Sequence, residues 1–300
     1  MPITRQLAFT LLIFASLLGS AALAAPSNHG EQVDDIIIDL GRGPVVVHVP
    51  PSYNPDVPTP LILLLHGYTN TGQEVEDWWQ LTPLADEYGF LYAHPDGTED
   101  LLGFQFWNAT NACCAFLGSA DDSGYLQALV DAIKDAANVD PGRVYFAGHS
   151  NGGFMSHRMA CDHSDTVAAI ASLAGATWKN PADCAPAQPV HVLQIHGTLD
   201  IVIQYNGGCT LPGACYPSAR GTVRQWAAHN GCDPVPDTSL PRLNLDATLP
   251  GDETQVARFD SNCAAGGSAE LWTIQGGSHS PNFSDDFSRL VVEFLLAHGR

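Results

Sequence analysis

Three hundred residues, 45% hydrophobic and 15% charged, suffice to bury a sizeable core in one large or two small domains and exclude a disordered chain. Twelve basic against 32 acidic residues give a net charge of −20. Lys134 and Lys179 are the only two lysines, so no basic patch exists to neutralise phosphates, which excludes nucleic acid and anionic membrane surfaces as partners.

The chain opens with Arg5, the apolar run Leu7 to Leu18 and the small-residue sequence Ala22-Leu23-Ala24-Ala25. That order matches the positive, apolar and cleavage regions of a secretory signal. Residues 1–24 are predicted to be removed after Ala24, leaving a mature chain 25–300, secreted to the periplasm or the medium. Loss of Arg5 takes the net charge from −20 to −21. The apolar run is shorter than the roughly 20 residues that a membrane span needs. The first cysteine is Cys113, so free export is expected rather than a lipid anchor.

Beyond the signal, short runs of Val, Ile and Leu alternate with helical patterns, the signature of βαβ units on a mostly parallel sheet. Strands are predicted at Val45–Val49, Leu61–Leu65, Phe90–Ala93, Arg143–Ala147, Val167–Leu173, Pro189–Ile195 and Glu270–Ile274. Helices are predicted at Gln73–Tyr88, Asp122–Ala137, Gly153–Ala160, Thr222–His229 and Phe287–Ala297. The fold class is α/β, and with no repeat and no Gly/Ser-rich linker the chain reads as a single domain. Two segments depart from the alternation, 96–118 and 207–221, and loops of that length are commonly functional or pinned by disulfides.

Eight cysteines in an exported chain read as disulfides, with zinc as the runner-up. Cys209 and Cys215 bracket a short loop, Cys161 and Cys184 a predicted strand and the loop after it, and Cys232 and Cys263 a proline-rich segment. These are the three predicted pairs. Cys113 and Cys114 remain, forming either a vicinal disulfide or part of a reshuffled set.

After the strand ending at Ala147 stands Gly148-His149-Ser150-Asn151-Gly152, followed by Gly153 and a helical pattern. A G-x-S-x-G turn between strand and helix exposes its serine at the carboxyl edge of the sheet, and the alternative is an ordinary turn serine. Ser150 is the predicted nucleophile, and the Asn151 amide at the helix start can donate to an oxyanion. A neutral serine needs a histidine base and an acid that orients it, in the chain order Ser, acid, His. Among the downstream histidines, His229 and His298 sit at helix ends, whereas His279 lies in the turn Gly276-Gly277-Ser278-His279 between the last strand and the last helix. His279 is the predicted base. Asp200, in His196-Gly197-Thr198-Leu199-Asp200 at a strand end, is the predicted acid, with His196 read as structural. The second oxyanion donor is assigned to the Tyr68 amide, after Leu65-His66-Gly67, with its ring free to face a substrate or to pack beneath the loop.

Together with Phe106-Trp107-Asn108, Cys113-Cys114 and Asp121-Asp122, these motifs resemble the secreted polyhydroxybutyrate depolymerase and feruloyl esterase family of α/β-hydrolases along nearly the whole mature chain. The resemblance implies a mostly parallel sheet with helices on both faces, a triad of Ser150, Asp200 and His279, and an oxyanion hole of the Tyr68 and Asn151 amides. It also favours the Cys161–Cys184 bridge. Members often carry a tryptophan shortly after the catalytic histidine, where this chain has Ser280-Pro281-Asn282, so Trp107 is expected to supply the aromatic wall beside Tyr68. Without an appended polymer-binding module or a Thr/Ser-rich linker, soluble esters and oligomers are expected rather than crystalline polymer.

The expected activity is therefore ester hydrolysis through an acyl-enzyme, on feruloyl-type or hydroxyalkanoate esters, with a small or oligomeric ester as the partner. No cofactor and no metal are expected, since H-x-H and H-E-x-x-H are missing. The rivals are a serine peptidase of the same fold, whose usual cap or propeller has no room in residues 25–300, and a catalytically silent binding protein on a hydrolase scaffold, which would have lost triad members.

Overall fold

A computed structural model describes residues 34–114 and 118–300. The predicted signal segment lies outside them. In chain order the elements are β1 (Ile36–Asp39), β2 (Pro44–His48), β3 (Thr59–Leu65), α1 (Gly72–Trp79), α2 (Leu81–Tyr88), β4 (Leu91–Ala93), β5 (Thr98–Glu99), β6 (Gln105–Phe106), α3 (Asp122–Ala136), β7 (Val139–His149) and α4 (Asn151–Asp162). There follow β8 (Ala169–Leu173), β9 (His191–Gly197), β10 (Gly208–Leu211), β11 (Ala214–Tyr216), α5 (Ala219–His229), β12 (Thr254–Phe259), β13 (Ser268–Ile274) and α6 (Phe287–Ala297).

Nine strands form one sheet in the order β1-β2-β4-β3-β7-β8-β9-β13-β12. The run from β4 to β13 is parallel, and β1, β2 and β12 close the edges antiparallel. Alternation along β3 shows how the sheet is covered. Leu61, Leu63 and Leu65 share one core with α3 and α5 through Leu126, Leu129, Val223 and Trp226. Ile62 and Leu64 share the other with α1, α2 and α6 through Trp79, Leu81, Phe287 and Val291. A strand buried on both faces reads as an uninterrupted apolar run, which is why the central strands stand out in the sequence.

The predicted helix 73–88 is two helices. Gln80 adopts φ 53° and ends α1, because Pro83 has no amide hydrogen for Trp79 and its ring would clash with that carbonyl. The Trp79 carbonyl instead accepts from the Ser288 hydroxyl of α6 at 2.5 Å. Strands β1 and β12 were not predicted. Both lie at sheet edges, and β12 interrupts buried Val256 and Phe259 with half-buried Gln255 and Arg258. The long segments 96–118 and 207–221 carry hairpins of their own, β5–β6 and β10–β11.

All four disulfides form: Cys161–Cys184, Cys209–Cys215, Cys232–Cys263 and, between neighbours, Cys113–Cys114. Among the described residues no helix is long and apolar enough to cross a membrane.

Candidate active site

The parallel strands aim their carboxyl ends at one edge, where open α/β sheets place ligands. In register there, Leu65 of β3 stands beside Gly148 of β7, and Gly197 of β9 beside Ile274 of β13. The segments that follow carry Tyr68, Ser150, Asp200 and His279.

Ser150 caps α4 with φ 54° and ψ −116°, a conformation that costs a residue with a Cβ about 1–3 kcal/mol and needs support from its surroundings. That support comes from the Ser150 amide, which donates to the Leu173 carbonyl of β8 at 2.8 Å, and from glycine neighbours. A Cβ on Gly152 would overlap the carbonyls of Leu65 and His66, and one on Gly148 would overlap Gly152 itself. Asn151 opens α4, so its amide is one of the N–H groups that a helix leaves without an internal partner.

Asp200 and His279 meet directly: Nδ1 of His279 lies 2.8 Å from Oδ2 of Asp200. The other carboxylate oxygen accepts from the amides of Val202 (2.8 Å) and Ile203 (2.9 Å). His196 adds its Nε2 at 3.2 Å from Oδ2. Burial pushes the Asp200 pKa up, but the hydrogen bonds from His196 and His279 outweigh it and hold the carboxyl well below the usual range. Four donors around a buried carboxylate keep it charged and aim one oxygen at the imidazole.

His149, the residue before the serine in its motif, ties the pieces together. Its Nε2–H donates to the His279 carbonyl at 3.0 Å, and the two rings lie 4.8 Å apart. Trp78 meets the His149 ring edge-on at 4.9 Å and stacks on Phe283 at 4.3 Å. Gly67, Asn70, Val75, Trp78, His149 and Ser280 line a cleft of about 240 Å³ at this point. The only sequence signal for this wall was a pair of tryptophans at the end of the first helix, one of which packs into the core while the other remains half-buried.

The aromatic expectation for Trp107 is corrected. Its ring is 0% exposed and lies beneath the loop after β3, with its indole N–H donating to the His66 carbonyl at 3.2 Å. The backbone of Trp107 is clamped by the Asn151 side chain, whose Oδ1 accepts from its amide (2.6 Å) and whose Nδ2 donates to its carbonyl (2.8 Å). Trp107 therefore supports the segments that carry the candidate oxyanion amides and lines no open surface. Its burial follows from the segment around it being pinned on both sides: Asp122, fully buried, accepts from the Asn108 amide at 2.6 Å and from Thr98 at 2.8 Å.

The Tyr68 ring is half-buried, and its hydroxyl donates to Asp100 at 2.8 Å. That bond fastens it to the tip of the β5–β6 hairpin, where Leu101 and Leu102 are exposed. Beneath Tyr68, His66 fixes the loop: Nδ1–H donates to the Gly67 carbonyl (2.7 Å), and Nε2 accepts from the Gly97 amide (2.9 Å). Across the site Leu199, Ile201 and Val202 are exposed on either side of Asp200.

Burial lowers the pKa of His149 to about 3 and of His157 to about 4. Both groups take up protons more readily in the unfolded chain, whose histidines titrate near 6.5, so the stability they contribute is complete above about pH 6.5 and is lost as pH falls toward 4. The unfolding free energy should drop by roughly 1.4 kcal/mol per pH unit for each histidine across that window. Urea midpoints measured from pH 7.5 to 4.5 check this, and a flat series would contradict it.

Comparison with known proteins agrees with this architecture. A family model described as esterase PHB depolymerase matches residues 45–203. Feruloyl esterase B of Piromyces equi is 32% identical over 243 residues, 79% of this chain and 42% of its own length. Feruloyl esterase D of Neurospora crassa is 26% identical over 296 residues, covering 92% of this chain and 89% of that one. The chain thus spans less than half of the Piromyces protein. Among solved structures, acetyl xylan esterase from Aspergillus awamori superposes with a TM-score of 0.63 at 17% identity, covering 87% of this chain and all of that one. A likeness at that identity establishes the α/β-hydrolase fold.

Proposed function

The chain belongs to the esterase PHB depolymerase family, and from that premise we propose that it is a secreted carboxylic ester hydrolase working through Ser150, His279 and Asp200. The observation that carries the reading is the hydrogen bond between His279 Nδ1 and the buried Asp200 carboxylate, on loops flanking a serine held at positive φ.

In the proposed mechanism, Ser150 Oγ attacks the ester carbonyl carbon, and its proton passes to Nε2 of His279. Nδ1–H of that ring stays bonded to Asp200, which remains ionised. The carbonyl oxygen, now negative, is met by the amides of Tyr68 and Asn151, each such donor being worth about 2.7–4 kcal/mol of barrier. Collapse breaks the bond to the alcohol oxygen, which takes the proton from His279. Water, activated by the same ring, then releases the acid and restores Ser150.

Feruloyl-type esters are the first choice of substrate, because half-buried Trp78, backed by Phe283, meets His149 at the cleft and the relatives reported above are named feruloyl esterases. Hydroxyalkanoate oligomers are the second reading, supported by the family description and by the exposed aliphatic residues on both sides of the site. Export through residues 1–24 is supported by four disulfides, which persist in oxidising compartments.

The test is kcat/KM on methyl ferulate, a 3-hydroxybutyrate oligomer and p-nitrophenyl butyrate, side by side. The expected result is a preference of about tenfold or more for ferulate over the oligomer, both alkyl esters, equivalent to roughly 1.4 kcal/mol from an aromatic slot. Preference for the oligomer selects the second reading, and inactivity on all three removes the esterase assignment.

A further inference from the structure

A buried chain of polar side chains runs from α5 to Asp200, and its direction can be read from its far end. The indole N–H of Trp226 can only donate, and it lies 2.9 Å from Nδ1 of His157 in α4. That nitrogen must therefore carry the lone pair, so the His157 proton sits on Nε2, 2.9 Å from Oε1 of Gln194. The Gln194 amide then presents its NH₂ group to the Gly175 carbonyl at 3.0 Å and to Nδ1 of His196 at 3.3 Å. His196 accepts there and carries its own proton on Nε2. That N–H is shared between the Ile203 carbonyl at 2.7 Å and Oδ2 of Asp200 at 3.2 Å. Two independent acceptors, the carbonyls of Gly175 and Ile203, require the same orientation that Trp226 imposes. All four relay residues are buried.

We propose that His196 is a positioning residue for the reaction, locked as an Nε2–H donor by the relay from Trp226 so that it takes part of the charge on the Asp200 oxygen that faces His279. The proposal rests on the triad reading above. β9 places two polar residues, Gln194 and His196, on one buried face behind the acid. Burying such a network is costly unless every member is satisfied. Here each donor and acceptor pairs in one sense, and the chain ends on the carboxylate.

The groups facing His196 define the sign of its effect. They are Asp200 after its own strand, His279 from the loop after β13, His149 at the end of β7, His157 of α4 through Gln194, and the Tyr205 ring edge-on at 5.7 Å. Its neighbour in register on β13 is Thr273, which is uncharged. Removing the Nε2–H leaves more of the Asp200 charge to His279, which favours the imidazolium and moves the acid limb of kcat/KM upward.

The test compares the pH profiles of His196→Phe and Trp226→Phe with that of the parent enzyme on the ester it turns over best. His196→Phe should lose roughly tenfold in kcat, the usual effect of removing a group that orients a reacting one, with KM nearly constant. Its acid limb should rise by about half a unit, and Trp226→Phe, which touches nothing in the site, should shift it in the same direction by less. In the parent enzyme, ¹⁵N spectra of the ring nitrogens should show Nε2–H on both His157 and His196, giving way to mixed tautomers in Trp226→Phe. Profiles that superimpose on the parent, with the loss confined to the melting temperature, would overturn the proposal, as would an Nδ1–H tautomer at His196. Should His196→Phe not fold, Trp226→Phe and the spectra decide alone. Turnover retained in Ser150→Ala would instead remove the triad reading, a distinguishable failure.

Discussion

Replacing Ser150 with alanine is expected to lower kcat by a factor on the order of 10⁶ while the melting temperature stays where it was. The size of the loss follows from the absence of a substitute: among the described residues no other hydroxyl stands at the positive-φ turn after β7, and water at that point lacks the oriented attack of a fixed side chain. The neutrality toward folding follows from the local contacts. The turn is held by the Ser150 backbone, through its amide to Leu173 and its carbonyl to Phe154, and by the glycines at 148 and 152. Steady-state hydrolysis and a thermal melt on the same preparation check both halves, and retained turnover in a folded variant would remove Ser150 as nucleophile.

Asp200→Asn should lower kcat by about 10⁴ with little change in fold. The reason is a conflict of donors. The amides of Val202 and Ile203 require an acceptor at one side-chain atom, so the new NH₂ group must face His196 and His279, both of which donate to that position in the parent. His279 can relieve the clash only by moving its proton to Nε2, and in that tautomer it cannot take the proton from Ser150. A loss of less than about tenfold would show that the orientation of His279 does not depend on the acid.

What the sequence disclosed and what it concealed divide along physical lines. The central strands were legible because burial on both faces leaves no polar residue to interrupt them, as in β3, whose seven residues are all buried. Strand β12 was hidden because an edge strand admits polar residues into its run, here the half-buried Gln255 and Arg258. The break at Gln80 was signalled by Pro83, but the proline acts four residues back, on the Trp79 carbonyl, so the mark and its effect are separated. At the site, Ser150, Asp200 and His279 were readable as ends of strands in a required order. The roles of His149 and Trp78 were not, since they depend on which loops meet across the sheet edge. Trp107 shows the limit in the other direction. An aromatic in a long loop suggests a surface, yet the Asn151 side chain and Asp122 fold that loop inward.

The β10–β11 hairpin has a consequence for adaptation. Its ends, Gly208 and Tyr216, pair with each other, and Cys209–Cys215 closes it on itself, while its one described side-chain bond to the neighbouring long segment runs from Thr210 to the Ala112 carbonyl. Tyr216 at its base is buried against Phe154 and belongs to the core, but the turn between the two cysteines can be lengthened, shortened or exchanged without asking the nine-stranded scaffold to readjust. Grafting turns from relatives between Cys209 and Cys215 is thus a change in which the penalty of each trial stays local to the graft.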